Sequence, residues 1–219
     1  MKVIKGTSLL VLLVLLALVL AMPLSILSAG SSVLHPDVHV THEFQDVDVE
    51  GTSTTVEIMN TIGQGPVLIA IGAFVAALLV AFGRRKDAFF AIIPVSLAQL
   101  ANFTLKYLFS SPRPSTDYVA VTDPSSGFGF PSGHTMTTVV LVGSLAYILT
   151  RQTDCRWRRA GIASFMIVVA LMMGFSRIYV GAHWPSDVLG AYLWGTAFTT
   201  LAIITYRSPR LETRYPGAG

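Results

Sequence analysis

The chain has 219 residues, of which 53% are hydrophobic and only 12% charged, and its mean hydropathy is +0.63. A soluble domain carries about 25% charged residues, so this composition points to a single membrane bundle spanning residues 1–219. The single cysteine, Cys155, excludes an intramolecular disulfide and argues against a Cys/His zinc site. The net charge of +3 says less than its distribution, and no nucleic-acid partner is expected.

A membrane-spanning helix needs about 20 mostly apolar residues. Six stretches come near that length: Ser8–Ala29, Gly65–Gly83, Ala88–Phe109, Thr135–Thr150, Gly161–Phe175 and Val188–Tyr206. The expected fold is therefore all-α, a polytopic bundle of six transmembrane helices. The fourth and fifth stretches are short and would borrow flanking His134, Ser176 and Arg177. The first has two readings. Lys2 and Lys5 before an apolar run, with Ser28 and Ala29 after it, resemble a signal peptide. The run is longer than the usual signal core of about 7–15 residues, which favours a retained helix.

Lysine and arginine concentrate on the cytoplasmic side of membrane proteins. Six spans put 12 of the 15 basic residues on one side, with both termini. The other side holds only Lys106, Arg113 and Arg177. The outer side also carries the 30–64 loop, with Asp37, Glu43, Asp46, Asp48, Glu50 and Glu57. Val38, Val40, Val47 and Val49 alternate there, and Val56–Ile62 suits a turn or two of interfacial helix. Either a small cap or a mobile loop fits. The 207–219 tail is polar, contains Pro209 and Pro216, and is expected in the cytoplasm.

Three segments carry chemistry: Lys106 to Arg113-Pro114, Pro131-Ser132-Gly133-His134, and Ser176-Arg177 to His183 and Asp187. They lie far apart in sequence, yet the span assignment brings all three to one membrane face. Lys106, Arg113 and Arg177 would repel one another without an anion. A phosphoryl group relieves this, because guanidinium forks bind its oxygens bidentately. Ser132 adds a hydroxyl, Gly133 lets backbone approach, and the N–H groups opening the fourth span point at an anion. A helix starting near Pro185 puts Asp187 in its first turn, within reach of a His183 ring nitrogen. The carboxylate would fix the tautomer and raise the basicity of the other nitrogen. His183 is then the expected nucleophile, forming a phosphohistidine, and His134 the general acid and base. No metal or other cofactor is required, since three cations already neutralise the charge.

The ordered triple resembles the signature of the type 2 phosphatidic acid phosphatase superfamily. In that pattern a lysine precedes Arg-Pro by six residues, Pro-Ser-Gly-His follows, and Ser-Arg leads to His and then Asp. Every element matches. The resemblance implies an all-helical core, with Lys106, Arg113, Ser132, Gly133 and Arg177 binding phosphate, His134 as acid, His183 as nucleophile and Asp187 as its partner. It implies a lipid phosphate substrate, and the charge placement puts the site on the extracytoplasmic face, expected at the plasma membrane. An isoprenyl (undecaprenyl- or dolichyl-type) diphosphate is one expected substrate, and phosphatidate or phosphatidylglycerophosphate the other. A lipid phosphotransferase is the rival of a different class.

Other residues invite plainer readings. His35, His39 and His42 near Asp37 suit a solvated loop better than a metal site. Asn102-Phe-Thr104 is a glycosylation sequon, but it lies inside a span. Cys155 among arginines is read as an unmodified loop cysteine rather than a palmitoylation site. Trp157 and Trp184 suit an interfacial aromatic belt. Phe128 and Phe130 either anchor the loop before Pro131 or select substrate.

Overall fold

The computed structural model describes residues 2–30, 34–47 and 49–208, with side chains from residue 8 onward. Asp48 and the tail from Pro209 to Gly219 lie outside the described residues. Eight helices appear in chain order: α1 (Lys2–Ser28), α2 (His35–Gln45), α3 (Thr52–Ile62), α4 (Gly65–Ala81), α5 (Arg85–Phe109), α6 (Gly133–Thr150), α7 (Arg156–Tyr179) and α8 (Pro185–Tyr206). No strand occurs among the described residues.

Helix is what long apolar segments must form where no water can satisfy the backbone. Five helices are long and apolar enough to cross a membrane: α1, α5, α6, α7 and α8. A sixth crossing exists if α3 and α4, bent by 71° at their junction, count as one broken span. The two short stretches lengthen as expected. His134 joins the first turn of α6, and Ser176 and Arg177 the last turn of α7. Proline opens α2, α4 and α8, where its missing N–H costs nothing.

In the 30–64 segment the helix expected over Val56–Ile62 forms, as part of α3. The segment also contributes α2, so its valine alternation sits partly on a helix and no strand forms among the described residues. Four valines in two separate pairs are too few to specify a sheet partner, whereas Pro36 and Asp37 open a helix.

α6 and α8 form the centre with α5. Leu68, Val95, Ala98, Met136, Val140, Leu141 and Ala191 make the middle of the core. Fully buried Ala98 and Ala191 let the helices approach. α1 packs along α8, where Trp194 Nε1 donates to Ser25 Oγ at 3.3 Å. α3 lies against the end of α7, with Val56 packed on Val180 and Ala182. Leu12, Leu16, Phe74, Phe165 and Leu201 face outward, the pattern of a lipid-facing surface.

At the end of the bundle opposite the three motifs, a polar knot ties α5, α6 and α8. The Tyr206 hydroxyl donates to Asp87 Oδ1 at 2.5 Å, and Arg84 pairs with Asp87. Lys86 and Arg151 lie over the Tyr206 ring, which also packs on Phe90 and Tyr147. Removing a hydrogen bond to a charged group costs about 1.5–3 kcal/mol, and Arg84 would still neutralise Asp87. Tyr206→Phe should therefore lower the melting temperature of the detergent-solubilised protein by a few degrees, and thermal denaturation checks this.

Candidate active site

The third motif straddles a tight turn. α7 ends at Tyr179, and the carbonyl of Arg177 accepts N–H groups from both Ala182 and His183 at 3.1 and 3.2 Å. Gly181, with φ +67°, makes the reversal possible. A Cβ there would also collide with the Ala120 carbonyl. The chain re-enters a helix at Pro185, so Asp187 falls in the first turn of α8.

His183 and Asp187 meet as their spacing predicts. His183 Nδ1 lies 3.2 Å from Asp187 Oδ2, which also accepts the Trp184 N–H at 3.1 Å. Both side chains are buried. On the other ring nitrogen, Arg113 Nη1 lies 3.2 Å from His183 Nε2. A guanidinium can only donate, so Nε2 is the acceptor and Nδ1 carries the proton toward Asp187. That leaves the free lone pair on Nε2.

The basicity expected from Asp187 is outweighed in the net balance at His183. Burial pushes the imidazole well below its ordinary pKa, and Lys106, Arg113, Arg177 and His134 push it further. The 3.2 Å contact with Asp187 is a hydrogen bond from Nδ1–H in the tautomer that the Arg113 donor selects.

The cations are not left to repel one another. Lys106 Nζ donates to the carbonyls of Phe128 and Gly129 at 2.6 and 2.9 Å. Arg113 donates to the carbonyls of Gly127 and Ala182 at 3.0 and 2.8 Å. Arg177, 1% exposed, donates from Nη1 to Asn60 Oδ1 at 2.6 Å and Asp123 Oδ2 at 3.1 Å. Its Nε has no partner among the described residues. Burial lowers the pKa of Arg113, Asp187 opposes that, and Arg177 adds to it. Arginine nevertheless stays charged.

The second motif opens α6. Ser132 is buried, its N–H donates to the Asp187 carbonyl at 3.1 Å, and its hydroxyl pairs with Thr135 Oγ1 at 3.1 Å. Ser132 places no side-chain cap on α6. Gly133 has a steric duty toward Asn102: a Cβ would stand 3.0 Å from Asn102 Oδ1. His134 faces the α3–α4 elbow, where a Cβ on Gly63 would come within 2.7 Å of its Cδ2. All eight motif residues thus gather at one end of the bundle, across α5, α6, α7 and α8.

Several participants escaped the sequence reading. Asn102 is buried on α5 and donates to the Pro131 carbonyl at 3.1 Å. A polar side chain inside a span is itself a signal, which the sequon reading obscured. Asn60 and Asp123, which hold Arg177, lie outside every motif. Asp37 is not in a solvated loop: it is buried and accepts two hydrogen bonds from Ser186. Trp184 is 3% exposed, so it is not a belt residue, whereas Trp157 is exposed under Arg156. Phe130 is fully buried, edge-on to Phe109, and Phe128 packs edge-on to Tyr107, so both anchor the loop.

The PAP2 superfamily model matches residues 87–210, more than half of the chain. The chain belongs to the PAP2 superfamily. Its relatives include an undecaprenyl-diphosphatase from Sulfolobus acidocaldarius, 30% identical over 59% of this chain and 60% of that one. Phosphatidylglycerophosphatase B from Bacillus subtilis is also 30% identical, over 59% of this chain and 61% of that one. The chain therefore spans about three fifths of the length of these curated relatives. The PAP2 fold is confirmed in three dimensions. A crystal structure of a transmembrane PAP2-type phosphatidylglycerolphosphate phosphatase from Bacillus subtilis superposes with a TM-score of 0.79 at 20% identity. That superposition covers 93% of this chain and 98% of that one.

The tautomer of this PAP2 site is measurable. A ring-nitrogen NMR titration should find His183 Nδ1 protonated and Nε2 bare, and the ring should stay neutral below the ordinary histidine pKa of about 6.5. Protonation at or above that value would contradict the arrangement described.

Proposed function

We propose that the protein is a membrane lipid phosphatase that hydrolyses an isoprenyl diphosphate of undecaprenyl or dolichyl type through a phosphohistidine on His183. The observation that carries this reading is the buried His183 ring, held through Nδ1 by Asp187 with its Nε2 lone pair facing the Arg113 cation. In the first step Nε2 attacks phosphorus as Arg113 shifts onto a phosphoryl oxygen. The bond to the leaving oxygen breaks, and His134 donates the proton that oxygen needs. In the second step water attacks the phosphohistidine, His134 takes the water's proton, and inorganic phosphate leaves.

Lys106, Arg113, Arg177, the Ser132 hydroxyl and the Gly133 backbone hold the equatorial oxygens. Their positive charge does the electrostatic work that phosphoryl transfer demands. The reaction then needs no metal or cofactor.

The charge distribution supports an outward-facing site in a six-span arrangement, with α3 and α4 forming one broken span and both termini inside. Arg84, Arg85, Lys86, Arg151, Arg156, Arg158, Arg159 and Arg207 lie toward the opposite end. A substrate anchored by its tail in the outer leaflet of the plasma membrane would present its phosphate there.

The purified protein should turn over fully in EDTA, and His183→Ala should form no phosphoenzyme and release no phosphate. Activity lost to EDTA and restored by magnesium would remove the metal-free step. Turnover in His183→Ala would remove the nucleophile.

A second substrate reading has its own support in the equally similar phosphatidylglycerophosphatase. Phosphate release across a lipid panel in detergent decides between them. An isoprenyl diphosphate should be preferred over phosphatidylglycerophosphate by at least about tenfold in kcat/KM, within the range a tailored pocket supplies. The opposite ranking selects the second reading.

A further inference from the structure

We propose that Asp37 is a positioning residue for the His183–Asp187 pair, acting by capping the first turn of α8 from a separate helix. Resting on the proposed role of His183, this assigns a catalytic purpose to α2, which carries none of the three motifs and lies outside residues 87–210.

Asp37 sits in the first turn of α2 and is 6% exposed. Its Oδ1 accepts the Ser186 backbone N–H at 2.9 Å and its Oδ2 accepts the Ser186 hydroxyl at 2.6 Å. The first N–H groups of a helix have no partner within it and carry partial positive charge. A carboxylate is the acceptor such groups favour. Burial raises the pKa of Asp37, and the two Ser186 hydrogen bonds pull it back down.

Ser186 is the residue before Asp187, so the clamp grips the backbone one step from the carboxylate that orients His183. No other side chain from outside the three motif segments hydrogen-bonds to Pro185, Ser186 or Asp187 among the described residues. A cavity of about 10 Å³ adjoins the clamp, lined in part by Ser28, Pro112 and Trp184. Ser28 Oγ and Trp184 Nε1 are buried and bond to no described residue. Neither therefore substitutes for Asp37 in fixing the helix.

α2 is itself fixed at its far end. Gln45 Nε2 donates to the carbonyls of Ala120 and Tyr179 at 2.7 and 3.0 Å, and Gln45 Oε1 accepts the Ala120 N–H at 3.2 Å. One short helix thus braces both shoulders of the turn that bears His183: Tyr179 at the end of α7, and Ser186 at the start of α8. An angular slip of α8 would move Asp187, and with it the direction of the Nε2 lone pair.

The test uses the full chain in detergent, with p-nitrophenyl phosphate and undecaprenyl diphosphate as substrates and inorganic vanadate as the probe of the phosphate cradle. Displacement of a catalytic group by about 1 Å costs on the order of a hundredfold. Asp37→Ala should therefore lose about ten- to a hundredfold in kcat, with KM and vanadate inhibition within about twofold of wild type. Asp37→Asn should recover most of the rate, because an amide oxygen accepts the Ser186 N–H and an amide N–H can donate to its hydroxyl. The Asp37→Ala/Ser186→Ala double variant should be no slower than Asp37→Ala, since both changes break one interaction.

Wild-type kcat in folded Asp37→Ala would overturn the assignment, as would Asp37→Asn as slow as Asp37→Ala. So would a parallel loss of KM and vanadate affinity, which marks general loosening of the site. Should Asp37→Ala fail to fold, Asp37→Asn and Ser186→Ala decide. Near-normal kcat in the first and a several-fold loss in the second, at unchanged melting temperature, supports the clamp, and any other pair of results rejects it. His183→Ala run alongside separates the two ideas. Turnover there removes the nucleophile reading, whereas normal turnover in Asp37→Ala with His183→Ala inactive removes only the clamp.

Discussion

A carboxylate buried in the first turn of α8 is the constraint on which the site depends. Asp187 is fully buried, and one of its oxygens takes both the His183 ring and the Trp184 N–H. Its backbone carbonyl takes the Ser132 N–H. Gly129 lies against the same carboxylate, where a Cβ would meet Oδ2 at 2.7 Å. The loop from the first motif, the opening of α6 and the α7–α8 turn therefore converge on one residue. A buried charge is tolerated only where polar groups and opposite charges surround it. These three segments meet around Asp187, whose Oδ2 is paired while its buried Oδ1 has no hydrogen-bond partner among the described residues.

The cations obey the same rule from the other side. Lys106 and Arg113 rest mainly on backbone carbonyls, and Arg177 on an amide and a carboxylate. Neutral acceptors hold a cation in place without cancelling its charge. An arriving dianionic phosphoryl group can compete for such donors because its hydrogen bonds are charge-assisted and stronger. Holding the donors in place beforehand spares the reorganisation cost at the moment of reaction. Arg113 has a second consequence: by donating to Nε2 it selects the tautomer that the proposed nucleophile needs.

Asp37, Asn60 and Gly63, from the segment before α4, contact residues of the motif segments. α3 supplies Asn60 to Arg177, and the elbow after it brings Gly63 against His134. α2 grips Ser186. Nothing in the local pattern announces these contacts, because each rests on a single residue whose partner is many tens of residues away.

The apolar runs, their lengths and the placement of lysine and arginine are properties of the chain itself. In lipid an apolar run has almost no alternative to helix, so the all-α class followed from composition. The motif residues were legible for a related reason. Lys106, Arg113 and Arg177 are costly beside apolar spans, and the i, i+4 spacing of His183 and Asp187 is set by helix geometry. Tertiary structure decided everything that depends on a partner distant in sequence. Burial and neighbouring cations depress the His183 pKa, against the basicity that Asp187 alone would confer. Asn102, read as an unused sequon, became a polar contact from α5 to the Pro131 carbonyl just before α6. Trp184 went to the interior instead of the interface, and Asp37 left the solvated loop to cap α8. Desolvation and long-range hydrogen bonding are set by what packs against a residue, and that is settled only when the helices come together.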